Sequence, residues 1–374
     1  MKKKLLFIIW SNSYGGGAER QLTNLVNNLD KNKYEIDLIE YFHTNIYPEK
    51  LNSNINVLKP INNKTSESKI KRFLVNILVY IWPSLIRKLY IKGKYDLEIS
   101  FNYLIPTFLL SKDKNVKKVS WIHGAIFDLL PNKRPRLNRL ERKALKNVDR
   151  IVAIAEDTKK SIEEIYPEYK EKIKLIYNGY NLDKIKLLAE EKSILKNTRR
   201  CEIVYCNRFD DNKNPLLLIE AANLLKNKTN NFHINFLGKG EYESKMMELI
   251  HKYSLEENID IIGYKENPYP YVKNSDIMCL TSKTEGFSNV IIEGMCFGKP
   301  FVSTDVGIVK EIKKYNVGLV FKDSSEMCDC LYELIENKEK YKELSNNCTK
   351  IVEKFSLKEQ VKNAEKLFDD VMNN

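Results

Sequence analysis

Residues 284–300, TEGFSNVIIEGMCFGKP, carry two carboxylates, Glu285 and Glu293, around the start of a helix. DIMCL (276–280) reads as a strand, and the helix NVIIEGMCF is stopped by Gly298 and Pro300. Ser288 stands where an N-cap is expected. A capping box would need Glu or Gln three residues later; Ile291 is there, so capping does not explain Glu293. The N–H groups of the helix start, Gly286, Phe287, Ser288 and Asn289, suit a phosphate. Glu285 would then stand at the strand tip on one side of that phosphate, and Glu293 could reach a ribose hydroxyl pair on the other. The plainer alternative is two surface glutamates flanking a βα turn.

Three further stretches could join such a site. In YCNRFDDNKNPLLLIEAANLL (205–225) a strand ends, Arg208 and Lys213 follow in a loop, and Pro215 opens a helix. Two cations there can neutralise a diphosphate leaving group, at roughly 3–4 kcal/mol per well-placed donor; alone, they would read as loop solubility. In SNSYGGGAERQLTNL (11–25), Gly15, Gly16 and Gly17 join the first strand to the first helix, so backbone N–H groups can approach a ligand closely. The spacing is not GxGxxG, and Glu40, followed by Tyr and Phe, does not complete the dinucleotide pattern, which disfavours a nicotinamide enzyme. In VSWIHGAIFD (119–128), His123 ends a strand beside Gly124. A lone histidine is more often structural, but this one falls where substrate is expected.

The elements that position these residues are short apolar runs alternating with helical patterns. Strands are expected at 5–9, 35–41, 55–58, 97–101, 118–122, 150–154 and 173–177, with helices at 18–29 and 135–146 among them. After a charged stretch (183–200) the alternation restarts, with strands at 202–206, 233–238, 259–263, 276–280, 300–304 and 318–321. Continuous apolar strands between helices imply parallel sheets covered on both faces. Two such series imply two Rossmann-like α/β domains, with ligands at the carboxyl ends of the strands. The expected division is 1–180, 181–355, and a last helix at 356–374 packing back toward the first domain.

Composition narrows the class. The chain has 374 residues, 43% hydrophobic, enough for two globular domains. Its net charge of +12 is uneven: residues 1–180 hold 33 Lys+Arg and 19 Asp+Glu (+14), and residues 181–374 hold 29 and 31 (−2). A basic half suggests a polyanion partner or a lysine-rich solvated surface. Seven cysteines, none before residue 201 and none as CxxC, argue against a disulfide framework and a zinc site and fit a reducing cytoplasm. MKKKLLFIIWSN imitates a signal peptide, but its six-residue apolar core reads better as a buried strand. No window is expected to span a membrane.

Taken together, these residues resemble glycosyltransferase family 4, the group 1 glycosyltransferases of GT-B fold. The E-x7-E motif reads as Glu285 to Glu293, the Arg…Lys pair as Arg208 and Lys213, the glycine loop as Gly15–Gly17, and the acceptor-side histidine as His123. YNGYN (177–181), GKGE (238–241) and the run 262–277 follow in the family's order. The resemblance covers essentially the whole chain. It implies two Rossmann-like domains with parallel sheets facing a central cleft. It also implies retaining transfer of a sugar from a nucleotide diphosphate donor, by family frequency a UDP-sugar. Glu285 would lie near the donor sugar and Glu293 at the ribose. Arg208 and Lys213 would hold the diphosphate, the backbone at Gly263 and Tyr264 would meet the base, and His123 would contact the donor sugar or its phosphate. No cofactor or metal is implied, and Asp210-Asp211 is not a DxD motif. TDVGIVKEI departs from the family in having one glycine, Gly307, where a pair is common, which leaves phosphate or sugar contacts from that loop in doubt.

The basic half is the acceptor half in this fold. KIKRFLVNILVYIWPSLIRKLY (69–90) has cations at both ends and aromatics within, and reads either as an interfacial helix on an anionic membrane or as a core helix with charged ends. Seven more cations in 132–146 strengthen the surface reading. The expectation is a cytoplasmic peripheral enzyme acting on a polyprenyl-diphosphate-linked saccharide in bacterial surface polysaccharide synthesis. A GT-B-like epimerase or phosphorylase is the alternative. A nucleic-acid-binding protein is a remote one, since no recognition module is evident.

Overall fold

The computed structural model describes residues 2–13, 17–44, 50–65, 67–124, 135–191, 200–285 and 287–373. All thirteen expected apolar runs are strands. The first sheet contains β1 (Lys3–Ile9), β2 (Tyr34–Glu40), β4 (Ile55–Val57), β6 (Leu97–Ser100), β7 (Lys117–Ile122), β8 (Arg150–Ala153) and β9 (Ile173–Leu175), in the order β4-β2-β1-β6-β7-β8-β9. The second contains β10 (Cys201–Cys206), β11 (Phe232–Leu237), β12 (Ile259–Ile261), β13 (Ile277–Leu280), β14 (Phe301–Thr304) and β15 (Gly318–Phe321), in the order β12-β11-β10-β13-β14-β15. Every pairing is parallel; Leu5, for example, registers with Ile36 on one side and Leu97 on the other. Burial on both faces explains the unbroken apolar runs: Leu5 through Ile9 have no exposure. A pair of two-residue strands, β3 (Phe42–His43) and β5 (Asn62–Asn63), was too short to leave a periodic signal.

The chain divides into two compact units, 1–180 with 357–374 and 181–356. The last helix, Leu357–Asn373, belongs to the first unit. Its buried Leu357, Gln360, Ala364, Leu367, Phe368 and Val371 follow a helical period. Phe368 lies edge-on to Phe7 and to Tyr34, each at 6.3 Å, and Asp369 pairs with Lys33 at 2.5 Å.

Two segments left open by the sequence take definite form. The charged stretch from 183 is partly helical: Leu182–Leu188 forms a helix whose cap, Asn181, accepts the Lys184 N–H at 2.9 Å. The 69–90 window is not a single helix. It is two helices, α2 (Lys69–Ile81) and α3 (Pro83–Tyr90), broken where Pro83 lacks an N–H. Val75, Val79 and Ile86 are its buried residues, while most of its large apolar side chains are exposed.

Candidate active site

In the second sheet the strand order reverses between the neighbours β10 and β13, the position where open α/β sheets receive ligands. The loop after β10 carries Arg208 and Lys213, and the loop after β13 carries Glu285. The two loops are tied together. The Asn212 carbonyl accepts the Lys283 N–H at 2.7 Å, Asn212 Nδ2 donates to the Thr284 carbonyl at 3.2 Å, and Thr284 Oγ1 donates to Asn212 Oδ1 at 2.9 Å. The Lys213 carbonyl accepts from the Tyr205 hydroxyl and from Thr281 Oγ1, both at 2.8 Å.

Within this frame Lys213 Nζ lies 2.5 Å from Glu285 Oε1, and Ser282 Oγ donates to the same oxygen at 2.7 Å. Both side chains are largely buried, at 15% and 12% exposure. Glu285 Oε2 has no partner among the described residues. Arg208 is instead 73% exposed and pairs with Asp210 at 3.0 Å. Asp210 also accepts the Lys213 N–H at 2.9 Å, and Asp211 pairs with Lys283 at 2.6 Å. Both aspartates are thus engaged with the loop and its cations. Among the described residues no group of three or more His, Cys, Asp or Glu side chains could hold a metal ion.

Two glycines shape these loops. Gly238, at φ +151, would place a Cβ 1.8 Å from the Asn207 carbonyl, so only glycine lets GKGE close on the Arg208 loop. The Phe209 N–H donates to the Lys239 carbonyl at 3.1 Å across that contact. Gly307, at φ +52, would place a Cβ 2.8 Å from Ser288 Oγ and 2.9 Å from Glu285 Cβ. The Ile308 N–H donates to the Phe287 carbonyl at 3.0 Å. The single glycine of TDVG therefore packs directly behind Glu285, a positioning contact that sequence reasoning did not supply.

Ser288 occupies the N-cap position of the helix Asn289–Met295 but does not cap it. Its left-handed backbone (φ 75) differs from the extended conformation that turns a cap oxygen toward the first N–H groups, and its hydroxyl is buried without a partner among the described residues. One turn on, Glu293 Oε1 accepts the Tyr269 hydroxyl at 3.3 Å. Tyr269 was not anticipated. Burial, reinforced by the Glu293 charge, pushes the Cys206 thiol up to about 12. Gly263 (φ +79) faces open space, and Tyr264 is 62% exposed with the Lys239 ammonium 5.0 Å from its ring centre.

In the first unit the sheet reverses between β1 and β6. Gly17 begins the helix α1 (Gly17–Asn28) with open space at its Cβ position. Gly15, Gly16 and, in the second unit, Gly286 lie outside the described residues. The loop after β1 is tied to the end of β2. Ser13 Oγ donates to the buried Glu40 at 3.3 Å, His43 Nδ1 lies 3.2 Å from the same Glu40 oxygen, and the Thr44 N–H donates to Ser13 Oγ at 3.0 Å. Sequence reasoning weighed Glu40 only against the dinucleotide pattern; its spacing to His43 was the available signal. His123 follows β7, with its ring centre 4.6 Å from that of Phe101. The residue keeps some surface, but Nε2 is buried without a partner among the described residues. Burial lowers its pKa to about 3, so the imidazole is neutral.

Two parallel-sheet Rossmann-like units in one chain, with paired charges at the second unit's switch point, are the arrangement of a GT-B fold. Residues 188–351 match the family Glycosyl transferases group 1, and residues 15–184 match Glycosyltransferase Family 4. An uncharacterized glycosyltransferase of Methanocaldococcus jannaschii is 29% identical over 212 residues, 54% of this chain; the chain spans about half (52%) of that relative's length. The Campylobacter jejuni N-acetylgalactosamine-N,N'-diacetylbacillosaminyl-diphospho-undecaprenol 4-alpha-N-acetylgalactosaminyltransferase is 28% identical over 311 residues, 82% of this chain and 81% of that enzyme. Anabaena HepE, crystallised with UDP, shares the fold at a TM-score of 0.76 and 18% identity, covering 99% of this chain and 100% of that one. The chain belongs to the group 1 glycosyltransferases of GT-B fold.

Proposed function

We propose that the protein is a retaining glycosyltransferase that moves a hexosyl or N-acetylhexosaminyl group from a UDP-sugar to a lipid-linked saccharide during assembly of a bacterial surface polysaccharide. The observation that carries this reading is the Lys213–Glu285 pair at the switch point, with both hydrogen bonds on Oε1 and Oε2 without a partner among the described residues. The Campylobacter relative, whose name describes transfer onto a diphospho-undecaprenol-linked sugar, supports the acceptor class.

In this reading Lys213, an ammonium with three donors, keeps Glu285 in place while offering its remaining N–H groups to the diphosphate. Arg208 turns from solvent onto the same group. Their charge stabilises the phosphate oxygen as the bond from the sugar anomeric carbon breaks. The acceptor hydroxyl attacks the same face and its proton passes to the departing phosphate oxygen. No enzyme nucleophile is required. Glu285 Oε2 accepts a donor-sugar hydroxyl, Glu293 the ribose hydroxyls, and the backbone N–H groups of 286–289 a phosphate oxygen. Gly263 and Tyr264 border the base, and neutral His123 offers a hydrogen bond to the donor sugar or its phosphate. The residues need no metal for these roles, and the enzyme would work at the inner face of the cell membrane.

Screening UDP- and GDP-sugars by thermal shift, then measuring nucleotide diphosphate release with and without a lipid-linked acceptor, tests the proposal. Release that requires acceptor supports transfer. Conversion of the donor sugar without acceptor would instead identify an epimerase.

A further inference from the structure

The amphipathic segment α2–α3 has its apolar face turned outward. Eight of the fourteen exposed large hydrophobic side chains among the described residues lie between 70 and 89. On α2 these are Ile70, Phe73, Leu74, Ile77 and Ile81, which at about 100° per residue fall within one arc of roughly 100°, opposite the buried Val75 and Val79. Trp82, Leu85 and Leu89 extend the stripe past the break at Pro83. An exposed apolar surface of this extent on a folded domain marks an interaction site.

Charge identifies the partner. Residues 69–95 contain seven cations and no acid. Lys71 and Arg87 pair with Glu67 and Glu98, while Lys69, Arg72, Lys88, Lys92 and Lys94 have no acidic partner among the described residues. Beside α2 and α3 lies a cavity of about 190 Å³ lined by Tyr80, Ile81, Pro83, Phe108, Leu110 and Leu140, with Lys112, Lys118 and Lys143 also on its wall. Lys112 and Lys118 also line a second cavity, of about 360 Å³, with Lys114, Lys146, Arg150, Lys172 and one acid, Asp149, whose carboxylate accepts the Lys118 N–H at 2.7 Å. Lys118 and Lys172 are engaged by backbone carbonyls, so Lys112, Lys114 and Lys146 remain for an anion.

We infer that this face docks on an anionic phospholipid bilayer. The α2–α3 stripe enters the acyl boundary, and the lysine cavity at the amino ends of β7 and β8 holds lipid phosphates. A second copy fits poorly, because pairing the stripe with itself would bring unpartnered cations together. The inference extends the lipid-linked acceptor reading, but it stands on a surface separate from the catalytic loops.

The test is co-flotation of the purified full chain with vesicles of phosphatidylglycerol and phosphatidylcholine in equal parts. The wild type should float at low salt, and far less with phosphatidylcholine alone. The double variant Phe73→Ser/Leu85→Ser should bind roughly a hundredfold more weakly. Lys112→Ala/Lys146→Ala should bind roughly twentyfold more weakly and show a shallower salt dependence. All four positions lie outside the donor site, so circular dichroism and donor-dependent thermal shift should match the wild type. Equal flotation of wild type and variants, no flotation at low salt, or a solution dimer abolished by Phe73→Ser/Leu85→Ser would overturn the inference. A protein that floats but transfers no sugar would leave it standing and count against the catalytic proposal alone.

Discussion

The Lys213–Glu285 pair allows stability and catalysis to be separated. Both side chains are largely buried, and the ammonium lies 2.5 Å from the carboxylate. Lys213→Met leaves Glu285 charged and without its cation, held by the Ser282 hydroxyl alone. Removing one member of such a pair costs about 3 kcal/mol of stability. Glu285→Gln is milder, because the ammonium keeps a polar acceptor and some access to water. In the double variant no charge remains buried, so most of the Lys213→Met penalty should return, leaving a coupling energy of about 2 kcal/mol in urea unfolding. Activity should behave differently. Lys213→Met and Glu285→Gln should each lower kcat/KM about 100- to 1,000-fold, and the double variant should not recover. A double variant whose stability losses simply add would refute the coupling. Wild-type turnover by Glu285→Gln would refute the site.

Gly307→Ala should cost about 2 kcal/mol, from its left-handed backbone and from a Cβ placed against Ser288 and Glu285, and should lower kcat/KM about tenfold; a drop in Tm with unchanged kcat/KM would show that the loop does not position Glu285. Phe368→Ala should destabilise the first unit by about 3–5 kcal/mol and speed proteolysis of the last helix, readable by limited digestion. Burial raises the Glu141 carboxyl from 4.5 to about 8, so its contribution to stability is full below the unfolded value and is lost as pH rises through 8. Glu141→Gln removes that dependence, and its stability gain over wild type should grow with pH to about 3 kcal/mol at pH 7; equal melting temperatures at pH 8 would contradict this. The low value of His123 has the opposite sign, costing stability as pH falls from about 6.5 toward 3; the pH–rate profile should show no limb from this imidazole above about pH 5.

Strands buried on both faces leave continuous apolar runs, so the two sheets and the residues just past their strands could be read directly. Glu285, Lys213 and Arg208 were found because they sit at fixed short distances past apolar runs. The contacts that position them left no such trace. Tyr269 reaches Glu293 across 24 residues, and Lys213 reaches Glu285 across 72. Gly307 supports Glu285 from a third loop, and a lone glycine in sequence signals neither partner. Ser288 misled for a local reason: a serine before a helix normally caps it, but here tertiary packing holds the residue left-handed. The face of α2 was also illegible. Its apolar residues occupy two arcs, and sequence alone could not say which arc met the core.

The uneven net charge acquires a specific meaning from the placement of the cations. If the surplus of the first 180 residues served phosphate binding at the catalytic edge, it would gather at the carboxyl ends of β1, β6 and β7. Among the described residues that edge instead presents a buried Glu40 beside His43 and a neutral His123. Lys112 and Lys114 precede β7 and Lys146 precedes its neighbour β8, at the opposite, amino-end edge of the sheet, and further cations flank α2 and α3. The proposed diphosphate ligands, Arg208 and Lys213, belong to the nearly neutral half, where a few cations held by designated carboxylates suffice for one ligand. An extended lipid surface requires many unpaired cations, each contributing about 1 kcal/mol when close to it. The distribution of charge therefore separates a local electrostatic role in the second unit from a surface role in the first.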